Sequence, residues 1–339
     1  MGDDVAADSA VAGLMELALG AARAAAVRAA VTLLLPDALG ETPMKVADLA
    51  AAVGADPEAL GRLLRSLAAH GVFTERGTGR YAHTPLSLAL RTDTDDSLAD
   101  AVLWCTEPWN WALWGDLGEA VRTGDEVFTA AYGSRFYQHL HRQWPESARV
   151  FDRAMTQQSR AAAVALADLL PLADAGSLAD IGGGQGIVLV TLLRRHAGLR
   201  GYLLDLPSVI ANADARLRPG GELSERVELV AGDCLVEIPA RAEVYLFKNV
   251  LGVDEDSSVR ILRNAVAAAP PGARMVIVEN LADEGAGSRL ATLMDLRMLV
   301  VTGGRKHTWA GLLGVIQRAG LTVREVRPVD ATLHMIVAS

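Results

Sequence analysis

The run Asp180-Ile181-Gly182-Gly183-Gly184-Gln185-Gly186 closes an apolar stretch and opens a helical pattern. Its glycines therefore stand where a first strand must turn sharply and let a ligand approach the backbone. Alone, such a turn also reads as a tight strand-to-helix connection. Tyr202-Leu203-Leu204-Asp205 then puts a carboxylate at the end of a second strand, 19 residues beyond Gly186. An acid there can accept hydrogen bonds from both ribose hydroxyls of an adenosine, a spacing that also suits a dinucleotide. Asp180, directly before the glycines, is less expected for a dinucleotide and can instead hold the ammonium of an amino-acid-bearing nucleoside. Gly232-Asp233, ending a third strand, adds a carboxylate near where the adenine amino group would lie. Three acids and a glycine turn at successive strand ends make a convergent site of the kind parallel α/β sheets build.

These residues need a sheet to position them, and the sequence supplies one from Gly176 onward. Short apolar runs (177–181, 201–204, 227–230, 243–247, 274–278) alternate with helical stretches at 187–196 and 257–269. That alternation predicts a parallel, doubly wound sheet, which segments 321–326 and 332–337 can close as an edge hairpin. Upstream, residues 9–35 are nearly all apolar, so a helix there needs burial on several faces, against a second subunit or domain. Val46–Val53 reads as a short helix, Asp56-Pro57 starts another, and Gly77-Thr78-Gly79 sits between two short strand-like runs. Helix, turn, helix and hairpin outline a winged helix.

A winged helix either reads DNA or serves as a structural or dimerising module. Residues 36–94 hold six Lys/Arg and seven Asp/Glu, a net −1, where a DNA reader needs a clustered basic face. The whole chain of 339 residues has net charge −9, which also disfavours a polyanionic partner. A ligand-responsive DNA regulator is thus the weaker reading. Between 100 and 175 lie Trp104, Trp109, Trp111, Trp114, Phe128, Tyr132, Phe136, Tyr137 and Trp144, which either wall a pocket for a flat ring or pack between domains. The division expected is a helical domain at 1–99, an aromatic-rich connector lining a substrate pocket at 100–175, and the nucleoside-binding sheet at 176–339. Only Cys105 and Cys234 occur, far apart, so neither a disulfide framework nor a metal site is indicated. With an acidic start and an apolar stretch broken by Arg28, the chain reads as cytoplasmic, without a membrane span.

Taken together, these segments resemble the bacterial branch of the plant-type small-molecule O-methyltransferases along essentially the whole chain. The resemblance rests on the Asp180–Gly186 turn, Asp205-Leu206-Pro207, Gly232-Asp233, Lys248, Pro270-Pro271-Gly272 and Glu279. It is extended by Met294-Asp295-Leu296 followed by Thr302-Gly303-Gly304. It implies a Rossmann-like, class I methyltransferase domain preceded by a winged-helix dimerisation domain, a homodimer, S-adenosylmethionine as cofactor and a small aromatic substrate. It further implies Gly182, Gly184 and Gly186 against the methionine part, with Asp180 beside them, and Asp205 with Leu206 at the ribose. Asp233 and Cys234 would flank the adenine, Ser159 would reach the cofactor carboxylate, and Lys248 would lie along the cofactor.

One segment departs from the family. Members with a general base carry His-Asp-Trp where this chain has Gly252-Val253-Asp254, and Lys306 replaces a second acid, leaving Glu279 and His307 as candidate catalytic groups. His307, as a lone histidine, also reads as a satisfied surface or core residue. Ionising a phenol of pKa about 10 at neutral pH costs about 4 kcal/mol. Alignment of two bound reactants supplies on the order of 7–11 kcal/mol, and a general base adds about 10²–10⁴-fold. Methyl transfer by orientation is therefore sustainable on oxygen, and easier on nitrogen or carbon. Retention of the cofactor for hydroxylation, decarboxylation or cyclisation is the rival.

Overall fold

The computed structural model describes residues 2–94, 96–283 and 288–339. The chain divides into two compact units, Met1–Pro108 and Trp109–Ser339.

In the first unit, Asp56 accepts a hydrogen bond from the Ala59 amide at 2.8 Å, and Pro57 follows it, so the helix Pro57–Ala69 starts where the sequence places it. Its Leu60, Leu64 and Leu67 are buried with Leu49, Phe73 and Tyr81. Strands Phe73–Glu75 and Arg80–His83 form the expected hairpin, turning through Gly77 and Gly79 at φ +83° and +67°. A two-residue strand, Met44–Lys45, pairs with its other edge and completes a three-stranded wing. The long apolar segment ahead of this motif is two helices, Gly2–Ala18 and Gly20–Thr32. Among the described residues no single helix is long and apolar enough to cross a membrane. Ala10–Ala18 and Gly20–Thr32 reach that length only jointly, across a 49° bend.

The second unit is built on seven strands: β1 (Ser177–Ile181), β2 (Arg200–Asp205), β3 (Val227–Ala231), β4 (Val244–Lys248), β5 (Arg274–Asn280), β6 (Val323–Pro328) and β7 (Leu333–Ala338). Their order is β3-β2-β1-β4-β5-β7-β6, with the first five parallel and β7 antiparallel to both neighbours. The expected C-terminal hairpin forms, but only β6 is an edge. β7 is almost wholly buried through Met335, Ile336, Val337 and Ala338, and takes an inner position. β6 carries Arg324, Glu325 and Arg327 and tolerates water on its open side.

Side chains alternate between two cores. Leu178, Leu203 and Val244 pack under α1 (Pro145–Leu169) and α2 (Ile187–Arg195), whereas Ala179, Leu204 and Tyr245 pack under α3 (Glu255–Ala268) and α5 (Trp309–Arg318). A further helix, α4 (Ser288–Thr302), precedes α5. Strand order reverses between β1 and β4, so the crevice at their carboxyl ends is where such a sheet receives a ligand.

Candidate active site

The glycine turn leaves β1 at this crevice. Gly182, Gly184 and Gly186 have φ of +63°, +61° and +87°, a region disfavoured for residues with a side chain. A Cβ on Gly183 would lie 2.6 Å from Asp180 Cγ, and one on Gly186 would lie 2.5 Å from Leu217. Nothing stands within 4 Å of such an atom on Gly184, which faces open space. The loop is therefore tight against the protein behind and open in front.

The acids predicted from strand ends converge around it. Asp205 Oδ2 accepts the Gly184 amide at 2.8 Å and Oδ1 accepts that of Leu206 at 2.7 Å, which fixes the carboxylate and leaves each oxygen a second lone pair. Burial raises its pKa, opposed by those two amides. Asp180 is 1% exposed, and its Oδ2 has no hydrogen-bond partner. Burial pushes this carboxyl up to about 7, against the attraction of Lys248 and with added repulsion from Asp205. Lys248, half-buried at the end of β4, donates to Ser159 Oγ at 3.0 Å; burial lowers its pKa, opposed by Asp180 and Glu279. Ser159 in turn donates to the Met155 carbonyl of α1 at 2.7 Å. Asp233 lies exposed at the rim and accepts the Leu235 amide at 2.9 Å, and the neighbouring Cys234 thiol is held up to about 12 by burial, so it stays protonated.

On α1, sequence reasoning named Ser159 and missed Asp152 and Thr156. Thr156 donates to Gln185 Oε1 of the glycine turn at 2.9 Å. Asp152 is 7% exposed, and burial followed by the charge of Asp205 pushes its pKa to about 6. Asp152 and Thr156 share one helix face with Ser159 at i, i+4, i+7 spacing, the signal that would have found them. The Tyr137 ring is 45% exposed, yet its hydroxyl is sunk near Arg297 and Asp205, and burial raises its pKa. Most of the other aromatic side chains pack on one another: Trp109 stacks on Trp144 at 5.6 Å, and Phe128 meets Phe136 edge-on at 5.2 Å.

Both candidate bases are buried and hydrogen-bonded. His307 is 3% exposed, and its Nε2 is hydrogen-bonded to the Leu251 carbonyl at 2.7 Å. Glu279 is 1% exposed; Oε1 accepts the Leu251 amide at 3.1 Å and Oε2 lies 3.6 Å from Lys306 Nζ. Lys306 also donates to Asn249 Oδ1 at 3.1 Å. All three side chains bear on the segment between β4 and α3.

The chain matches an O-methyltransferase domain over residues 114–322 and an O-methyltransferase dimerisation domain over residues 15–93. It belongs to the O-methyltransferase family. Among its relatives, the mitomycin biosynthesis 6-O-methyltransferase of Streptomyces lavendulae is 37% identical, over 92% of this chain and 89% of the relative. The phenazine-1-carboxylate N-methyltransferase of Pseudomonas aeruginosa is 33% identical over 86% of each. The solved structure of a methyltransferase in calicheamicin biosynthesis, bound to S-adenosylhomocysteine, superposes with a TM-score of 0.85 at 32% identity, covering 98% of both chains. The cofactor of this methyltransferase is S-adenosylmethionine. Its crevice suits that group: an orphaned carboxylate oxygen on Asp180 for a cation, a fixed carboxylate on Asp205 for two hydroxyls, and an open glycine backbone between them.

Proposed function

We propose that this methyltransferase methylates an oxygen on a small aromatic natural product, acting chiefly by orientation and exclusion of water. The observation that carries this reading is the pairing of a well-formed nucleoside crevice with a glycine at 252. Gly252 has no side chain, and Glu279 and His307 are committed to the Leu251 backbone. Asp180 would hold the ammonium of the cofactor, Ser159 its carboxylate, and Gly182, Gly184 and Gly186 its methionine part. Asp205 and Leu206 would bind the ribose, Asp233 and Cys234 would flank the adenine, and Lys248 would keep Ser159 oriented. When bound, the cofactor supplies an electrophilic methyl on a sulfonium. The relatives named above act in mitomycin biosynthesis and on phenazine-1-carboxylate, which supports a ring-bearing acceptor.

A nitrogen acceptor is the second reading, favoured by the absent imidazole and by the N-methyltransferase among the relatives. We further propose a homodimer through the N-terminal unit and residence in the cytoplasm. The test is incubation with methyl-labelled cofactor and a panel of aromatic phenols and amines. Label in the product with equimolar S-adenosylhomocysteine supports methyl transfer, and the labelled atom identifies the acceptor. Product formed without the demethylated cofactor removes this reading in favour of a non-methylating reaction.

A further inference from the structure

Gly252 is not a glycine that the backbone requires. Its φ lies outside the left-handed region, unlike those of Gly182 or Gly303, so its conformation admits a side chain. A neighbour stands where one would go: a Cβ at 252 would lie 2.4 Å from Met298 Cε, with Sδ at 3.6 Å, so the thioether would have to swing aside to admit it. Met298 sits on α4, and its thioether tip occupies the volume that a residue at 252 would enter. The Gly252 carbonyl accepts the Arg305 amide at 3.3 Å, and Gly304 lies close against it, since a Cβ there would approach to 2.2 Å.

We propose that Met298 is a specificity-determining residue whose side chain fills the place of the missing base, restricting this enzyme to acceptors that have shed their proton to solvent before transfer. This deepens the functional reading above and rests on it. Loss of the histidine is then a repacked wall and not a vacancy: methionine is unbranched and polarisable, so it closes an irregular gap with an apolar surface that takes up no proton. The acceptor proton goes to water in a prior equilibrium. The freed lone pair forms the new bond to carbon, while the pair of the broken bond leaves with sulfur, and no protein group changes protonation. The substrate class that fits is an acidified phenol, such as one bearing a ring carbonyl or carboxyl that withdraws charge, or an unprotonated aromatic amine.

Two measurements test this. The first is a thermal-unfolding cycle of Gly252→Ala, Met298→Ala and the double variant. Gly252→Ala should lower Tm in the wild-type background and do so less in the Met298→Ala background, since the clash is then absent. Additive shifts would overturn the packing. The second uses a phenol found by the labelled-cofactor screen, together with its ring-fluorinated derivatives. In wild type the acidic limb of the kcat/KM profile should move one-for-one with the acceptor's own pKa. In Gly252→His/Met298→Ala, a limb near the imidazole range of about 6.5 should appear, with a gain of about 10²–10⁴-fold for the least acidic phenol. Gly252→His alone should gain less than the double variant. A wild-type limb fixed whatever the acceptor, or a Gly252→His gain equal to that of the double variant, would overturn the proposal. A failure of every acceptor to yield S-adenosylhomocysteine would instead strike the transfer reading, which the unfolding cycle does not depend on.

Discussion

Asp180 and Lys248 share one buried neighbourhood, and burial pushes each toward its neutral form, the acid upward and the lysine downward. With Asp180 near 7, the carboxyl carries a proton below neutrality and lacks the charge that an ammonium requires. Affinity for S-adenosylhomocysteine should therefore rise as pH increases through about 7, by at most about tenfold per pH unit, and level off above. Isothermal calorimetry between mildly acid and mildly alkaline pH checks this, and Asp180→Asn should remove both the dependence and much of the affinity. The same raised acid contributes folding stability at low pH that is lost as pH climbs from its unfolded value near 4 toward 7, so the ligand-free protein should melt earlier across that window. Asp205 differs because its two amide bonds fix a carboxylate for hydroxyl recognition. Asp205→Asn should weaken cofactor binding by about 10–100-fold, as expected for losing charge-assisted hydrogen bonds of about 1.5–3 kcal/mol. Both acids were legible because each ends an apolar run, a position that admits few other roles. Asp152 and Met298 were not: a polar residue on an amphipathic helix reads as solvated, and a methionine at helical spacing reads as core.

Elements were legible to the degree that their local chemistry was self-sufficient. The Asp56 cap, the glycine hairpin and the β-α alternation each stand on a few adjacent residues, and each appears where expected. The inner placement of β7 depends on a comparison that spacing does not make, between an apolar strand and a charged one competing for the same edge of β5. The segment joining β4 to α3 is likewise set from afar. Glu279 of β5 holds it, and so do Arg305, Lys306 and His307 of the turn after α4. Gly304 is the tightest point of that clamp, because its hypothetical Cβ meets a backbone oxygen and not a movable side-chain tip. Gly304→Ala should therefore cost about 1–3 kcal/mol as an overpacked site. It should lower Tm and reduce methyl transfer more than cofactor affinity, since Gly304 meets Gly252 and not the Gly182–Gly186 turn. Equal losses of both, measured by thermal unfolding, calorimetry and product formation, would place the clamp in the cofactor site instead.

At the scale of the molecule, the N-terminal helices leave a problem that one chain does not solve. Val11, Leu14, Met15 and Leu17 are 53–75% exposed, and the first three lie at i, i+3 and i+4, along one stripe of Gly2–Ala18. Leu19 continues the apolar surface at 55% exposure, in a stretch where Glu16 and Arg23 are the nearest charges. An exposed side-chain group of this size marks an association surface more often than a solvated face. The segment overlaps the start of the matched dimerisation domain at residue 15, so a second copy of the chain is the partner that fits. Burying each of these side chains is worth about 1.5–3 kcal/mol. Leu14→Glu combined with Leu17→Glu should therefore shift the protein from dimer to monomer in sedimentation velocity at micromolar concentration. The winged-helix core, resting on Leu60, Leu64, Phe73 and Tyr81, does not involve these positions, so the variant should keep the circular dichroism of the folded chain. A dimer that survives both charges would move the interface off this stripe, to an apolar surface elsewhere on the N-terminal unit.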